Sequence, residues 1–426
     1  MIPHWVVRLH RWAARGCAFL ALTAAACAAS AWARPVVASA SRPAAIPVDA
    51  KAGGYATTPE ARLIEVYRRL RAGDLNGALT KAETLTRDVP NFQLAQLVYG
   101  DLLLARLGRL GQFGDVPAAV SANATSPDQL PQLRREALVR LTALAERPPE
   151  GALPKEFIAI PPSTRHAIAV DASRSRLYLF ENGPDGLKLV EDHYVSVGRL
   201  GVGKKEQGDQ RTPLGVYFVT SRLDAAQLQN FYGAGALPLN YPNEYDRRLG
   251  KTGNGIWLHG VPPQNFARSP QSTDGCVVLA NEDMTQLLRK VEPRTTPVVI
   301  SSRIEWTPPE RAEPARTAVR SLIEQWRQAR ARGDAPALLA FYSRQFSSGN
   351  QDYTRWSRSL AAELKAERGR VSELKDVSVL ASREGGEVLI ITFGLVPKGL
   401  RSGPVKRQYW GKEGGQWKIF FEGVIG

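Results

Sequence analysis

Cys276 and His259 are the pair of residues in this chain best suited to joint chemistry. A cysteine nucleophile needs a base, a group to orient that base, and donors for the oxyanion that forms. His259 ends the run Gly255-Ile256-Trp257-Leu258, is followed by Gly260, and stands 17 residues before Cys276. A loop of that length can return the thiol to the imidazole. Ser272-Thr273-Asp274-Gly275 leads into the cysteine, and Gly275 permits a tight turn that aims backbone amides at a substrate carbonyl. A helix starting just after Cys276 would lower the pKa of the thiol. The bland alternative is a small buried hydrophobe, with Gly-Cys-Val-Val entering a core strand.

The cysteine count bears on that choice. Arg8, Arg11 and Arg15 precede an uncharged stretch over residues 16–33, which holds the apolar run Cys17-Ala18-Phe19-Leu20-Ala21-Leu22 and ends in Ala31-Trp32-Ala33. A basic segment, an apolar segment and an A-x-A site predict a cleaved secretory signal peptide and a periplasmic protein. The alternatives are an uncleaved anchor, since 18 uncharged residues is borderline for a span, and a lipoprotein site at Cys27 that lacks the usual leucine. Cleavage removes Cys17 and Cys27, two of the three cysteines. Cys276 is then a lone thiol in an oxidising compartment, without a disulfide partner in the chain, and its retention points to a use. Metal binding is a poor rival. His166, His193 and His259 have no ligand-like spacing, and no Cys-x-x-Cys occurs. No metal or other cofactor is expected.

The chain has 426 residues, 43% of them hydrophobic, enough for two or three domains with proper cores. Its charge is +15, carried by 42 Arg and 14 Lys, and loss of three arginines with the signal peptide leaves +12. That surplus suits an anionic membrane or wall polymer, and codon bias explains it equally well. A nucleic-acid partner is not expected, because no binding motif is present and the chain is exported.

Three units must position the pair. Residues 34–56 form a flexible lead-in. Helical periodicity follows over 57–150, with Thr58-Pro59 as a start signal and breaks at Gly73-Asp74 and Pro90-Asn91. The order Gly73, Ala78, Ala82, Pro90, Gly100 resembles a tetratricopeptide repeat, and an ordinary helical bundle fits the same pattern. This region is a possible protein-partner surface. Short strands with Gly/Pro turns over 155–303 predict a mostly β domain, with one short helix at 281–289. A Pro-rich, charged linker is expected over 304–314. In 315–426, a long helix, Gly333-Asp334, Leu338-Leu339-Ala340-Phe341-Tyr342 and a sheet ending in Trp417-Lys418-Ile419 resemble the nuclear-transport-factor-2-like α+β cone. No His or Cys lies beyond residue 276, so binding or packing is expected there.

Residues 165–301 resemble the L,D-transpeptidase catalytic domain of the YkuD family. The likeness rests on Val170-Asp171 through Leu177-Tyr178, Val195-Ser196-Val197-Gly198, Gln210-Arg211-Thr212-Pro213-Leu214-Gly215, Leu258-His259-Gly260 and Ser272 to Cys276. It implies attack by Cys276 on the amide after the third residue of a peptidoglycan stem, with His259 as base and then acid. It further implies orientation of His259 through the Gly260 backbone, and oxyanion donors at Gly275 and Cys276. Ser272, Thr273, Asp274, Arg211, Arg268 and the rim residue Tyr241 are the candidate substrate contacts. Carbapenems acylate this cysteine in the family. Two departures stand out: Asp274 replaces the family's usual His, and Val278 its usual Arg or Asn. Loss of the arginine removes a carboxylate clamp; Arg211 or Arg268 could substitute for it, and a solvated surface position is the alternative for each. Three outcomes remain open: transfer to a second stem or a protein lysine, hydrolysis as an L,D-carboxypeptidase or in release of wall-bound protein, and a non-catalytic wall-binding scaffold.

Overall fold

The computed structural model describes residues 58–114, 129–366 and 372–425. The expected signal peptide and lead-in lie outside the described residues. Helices α1 (Pro59–Arg71), α2 (Leu75–Asp88), α3 (Gln93–Arg106) and α4 (Gln129–Ala145) come first. Thr58 caps α1 by accepting Ala61 N–H at 3.2 Å, and Asp74 caps α2 by accepting Gly77 N–H at 2.8 Å. Buried Ala78 and Ala82 allow close helix packing around Leu63, Val66, Leu85 and Val98. No helix among the described residues is long and apolar enough to cross a membrane.

The middle of the chain contains β1 (Leu153–Pro154), β2 (Phe157–Ala159), β3 (His166–Asp171), β4 (Arg176–Gly183), β5 (Gly186–Tyr194), β6 (Val197–Gly198) and β7 (Gly215–Phe218). It continues with β8 (Leu223–Asp224), β9 (Gly235–Pro238), α5 (Glu244–Arg248), β10 (Trp257–His259), β11 (Gln271–Thr273), β12 (Val277–Val278), α6 (Asn281–Lys290), β13 (Pro297–Ser301) and β14 (Trp306–Thr307). One sheet has the order β5-β4-β3-β13-β7 and another β12-β10-β9-β8. Ile168 and Val170 of β3 face a core shared with Leu237, Leu258, Val277 and Met284. Ala167 and Ala169, on the opposite face of the same strand, pack with Ile390, Tyr409 and Phe420 of the C-terminal domain. Both faces of β3 are therefore covered, which explains why all six of its residues are buried.

The C-terminal part has α7 (Pro309–Ala331), α8 (Ala335–Leu339), β15 (Ser347–Ser348), β16 (Gln351–Asp352), α9 (Tyr353–Ala366), β17 (Ser372–Ser382), β18 (Val388–Pro397), β19 (Val405–Glu413) and β20 (Gln416–Val424). Its helices cover one face of the sheet β2-β17-β18-β19-β20 through Trp326, Leu338, Leu360, Phe393 and Trp410.

Two expectations are corrected. The segment 304–314, expected as a Pro-rich linker, is largely built into regular structure. Glu305 O accepts Lys155 N–H at 2.9 Å, β14 pairs with β1, and a helix begins at Pro309. Proline at the first helical position has no N–H to leave unpaired, and its φ suits the turn. The boundary at 155 also shifts, because β2 pairs with β17 and belongs to the C-terminal sheet.

The helical region is joined to the middle, mostly β part by apolar and ionic contacts. Phe92 lies 4.1 Å from Phe266, ring centre to ring centre. Arg140, almost fully buried, pairs with Glu136 and Glu60, each at 2.7 Å, while Arg176 pairs with Glu60 at 2.8 Å. Burial pushes the Glu60 carboxyl up, but Arg176 and Arg140 outweigh it and hold the group down at about 2.

Candidate active site

Strand pairing closes the 17-residue gap between histidine and cysteine. Strands β10 and β12 run parallel with Leu258 beside Val277 and His259 beside Val278, so Cys276 sits one residue ahead of β12. Adjacent strands lie about 5 Å apart. Cys276 and His259 line one cavity of about 350 Å³, together with Arg268, Thr273, Asp274, Lys204, Phe231 and Tyr232.

His259 is 1% exposed. Its Nδ1 lies 2.7 Å from Gly260 O. A carbonyl can only accept, so Nδ1 carries the proton and Nε2 keeps its lone pair. Burial is the main cause of a lowered pKa, to about 4; the Gly260 contact opposes it and Arg268 adds to it. The ring is therefore neutral at pH 7 and ready to accept a proton. Tyr232 meets it edge-on at 5.0 Å. A side chain at position 260 would come within 2.2 Å of Asn281 Oδ1 and 2.9 Å of Ala234 N, so glycine is required there. Asn281 fastens this corner: Oδ1 accepts Ala234 N–H at 2.9 Å and Val261 N–H at 3.1 Å, and Nδ2 donates to Val261 O at 2.9 Å.

Cys276 is partly buried and free. Its thiol donates to Gly255 O at 3.4 Å. Burial raises the thiol pKa, the Trp257 N–H lowers it, Asp274 raises it, and Arg268 and Lys204 lower it; burial prevails. The short helix expected at 281–289 is present as α6, but β12 lies between it and the cysteine. A helix dipole falls off within one turn, so α6 does not lower the pKa of this thiol. Gly275 has φ +130°, and a Cβ there would stand 2.8 Å from Arg211 O. Buried Thr273 clips the turn, its Oγ donating to Cys276 O at 2.7 Å and accepting Gly275 N–H at 3.1 Å. That N–H, expected as an oxyanion donor, is engaged in this arrangement.

The remaining expected residues divide. Arg268 and exposed Asp274 line the cavity, and Asp274 faces Arg199 at 3.7 Å. Ser272 supports the loop, donating to Ser269 O at 2.9 Å. Arg211 is exposed and donates to Val202 O at 3.1 Å, away from the cavity lining. Tyr241 is buried in the core and donates to Thr252 O at 3.0 Å. The structure does not bring these two side chains to the pair. Phe231, Tyr232, Lys204 and Asn281 escaped the sequence reading. Lys204 is nearly fully buried and paired with Asp209 at 2.8 Å. The Gly233-Ala234-Gly235 stretch beside Tyr232 was the available signal of close backbone approach.

The domain that holds His259 and Cys276 in one cavity, and the cone that follows it, each match a known family. Residues 165–300 match the L,D-transpeptidase catalytic domain, YkuD, and residues 318–423 match the Cds6 C-terminal NTF2-like domain. The chain thus carries a YkuD catalytic domain between N-terminal helices and an NTF2-like domain. Among solved structures, Bdellovibrio bacteriovorus Bd1075 aligns with TM-score 0.56 at 25% identity, over 64% of this chain and 98% of that one. The helical cell shape determining protein Pgp2 from Campylobacter jejuni aligns with TM-score 0.50 at 18% identity, over 68% and 100% respectively, and shares the fold. No curated protein matches the chain.

Proposed function

We propose that the protein is a periplasmic cysteine acyltransferase, an L,D-transpeptidase acting on peptidoglycan stems in the service of cell shape. The observation that carries this reading is the neutral His259, held with Nε2 unprotonated in the cavity that contains the one cysteine of the described residues. The likeness to Pgp2, a helical cell shape determining protein, supports the cell-shape role, and the N-terminal signal pattern supports export.

In the first half-reaction Cys276 Sγ attacks the amide carbonyl carbon after the third stem residue, and the thiol proton passes to His259 Nε2. The Cys276 N–H stabilises the oxyanion, joined by Gly275 N–H if Thr273 releases it. Collapse breaks the C–N bond. His259 returns its proton to the departing amine of D-alanine, leaving a thioester on Cys276. In the second half-reaction an amine attacks the thioester, His259 takes its proton, and the thiol is restored. Water in place of the amine gives a carboxypeptidase, and a wall-attached protein in place of D-alanine makes the enzyme a releasing hydrolase.

Incubation of the purified protein with disaccharide tetrapeptide, followed by mass spectrometry, tests the proposal. A dimer joined through two third-position residues is the expected product. Tripeptide alone would reassign the enzyme as a hydrolase. Absence of both products, together with no mass change on exposure to a carbapenem, would leave a non-catalytic scaffold.

A further inference from the structure

Arg268 has the features of a binding group awaiting an anion. It lies on the loop between β10 and β11, and its guanidinium carbon stands 4.5 Å from the centre of the Phe231 ring. The side chain is half-buried, and burial, the leading influence, disfavours its charge, opposed by Asp274 and Cys276. Asp274 does not neutralise it at contact distance, because that carboxylate is 75% exposed and turned to Arg199. Among the described residues Arg268 forms no ion pair. A guanidinium that has given up water without gaining a fixed carboxylate recovers that loss when a carboxylate binds it bidentately.

Its placement is fixed from behind. Tyr194 Oη donates to Arg268 O at 2.8 Å, and Ser196 Oγ donates to the same oxygen at 2.9 Å. Both donors are buried. The Tyr194 ring lies 3.7 Å from the Arg140 guanidinium carbon, and Arg140 is itself locked to Glu60 and Glu136 in the helical region. A line of contacts therefore runs from the N-terminal helices to the loop that carries Arg268.

We infer that Arg268 is the carboxylate anchor for the donor peptide, and that Tyr194 and Ser196 are positioning residues that aim it with support from Arg140. This assigns Arg268, rather than Arg211, to the clamp that Val278 cannot provide, and it lets the helical region support the binding site from behind. The inference rests on the acyl-transfer reading above. The carboxylate it recognises has two possible sources in the donor: the side-chain carboxyl of the third residue, or the C-terminal carboxyl of the departing D-alanine.

The test is a cross of full-length variants against donors. Wild type, R268Q, R268K and Y194F are each assayed on a tetrapeptide donor with both carboxyls free, on one amidated at the third-residue side chain, and on one amidated at the C-terminus. With both carboxyls free, R268Q should lose about 30-fold in kcat/KM, the scale of one charge-assisted contact. On one amidated donor the gap between wild type and R268Q should shrink to less than about threefold, and that donor identifies the carboxylate. R268K should recover part of the loss. Y194F keeps the ring under Arg140 and should raise KM about threefold on the free acid, with kcat unchanged. Equal R268Q losses on all three donors, in protein whose thermal unfolding is unaltered, would overturn the inference while the enzyme assignment stands. A Y194F effect confined to thermal unfolding would remove Tyr194 from the proposed chain. No turnover of any donor by wild type would bring down the enzyme assignment and this inference together.

Discussion

Two buried histidines in the same domain are held in opposite charge states. His259 sits against a carbonyl and near a cation, and burial keeps its pKa down at about 4. His193, on β5, also experiences burial as a downward pull. It lies 3.1 Å from Asp283 and 3.2 Å from Glu191, however, and these carboxylates drive it up to about 10. The lesson is that burial alone does not decide the state of an imidazole; the charge of its partners does. One ring is left neutral in the cavity that holds the thiol. The other is a fixed cation that fastens β5 to α6, the helix that follows the cysteine strand, with Lys290 sharing Glu191.

The largest expected effect comes from the catalytic side. Cys276→Ala should abolish carbapenem adduct formation and turnover, as read by intact mass. His259→Gln should cut the acylation rate by about 10³-fold or more, because the thiol loses its base. Residual acylation near the wild-type rate in either variant would show that the pair is misassigned.

His193→Gln addresses the other half of the comparison. It leaves Glu191 and Asp283 without their shared cation and should destabilise the fold by about 3 kcal/mol, measured by denaturant unfolding. Acylation of the folded variant should change little. A selective loss of activity without loss of stability would give His193 a role in chemistry.

The two rings also predict separate pH signatures. Since the folded pKa of His193 is raised from 6.5 to about 10, its stabilisation is complete below pH 6.5 and disappears as pH climbs through about 10. The stability gap between wild type and H193Q should narrow over that window. For His259 the acid limb of kcat/KM should fall near pH 4, well below the ordinary imidazole value, because the ring must be neutral to accept the thiol proton. A single shared transition near pH 6.5 would erase the contrast between them.

The smallest effects should come from residues that the structure keeps out of the cavity. Arg211→Gln should alter kcat/KM by less than about twofold. Tyr241→Phe should cost about 1 kcal/mol of stability through the lost bond to Thr252, with activity retained.

That His259 and Cys276 meet in one cavity was legible because the signature is local: a strand ending in His-Gly, and Ser-Thr-Asp-Gly before a cysteine. Gly275 and Gly260 were legible for the same reason, and the structure gives each a steric ground. What surrounds the pair was not legible. Tyr232 reaches His259 only because β9 folds back antiparallel on β10, and nothing in the local sequence reports that register. Arg211 and Arg268 both sit in Gly/Pro-rich loops, and tertiary closure alone separates them. The prolines around residue 308 suggested a break, yet one of them starts α7. Strand β17 escaped notice because its first half, with Glu373, Lys375 and Asp376, lacks an apolar alternation and is largely exposed.

The most direct test of the central claim is the intact mass of the protein after rapid acid quench with a tetrapeptide donor. The account predicts an adduct equal to the donor less D-alanine, mapping to Cys276 as a thioester and absent from Cys276→Ala. Product formation without that adduct under single-turnover conditions, or an adduct mapping to another residue, would contradict it.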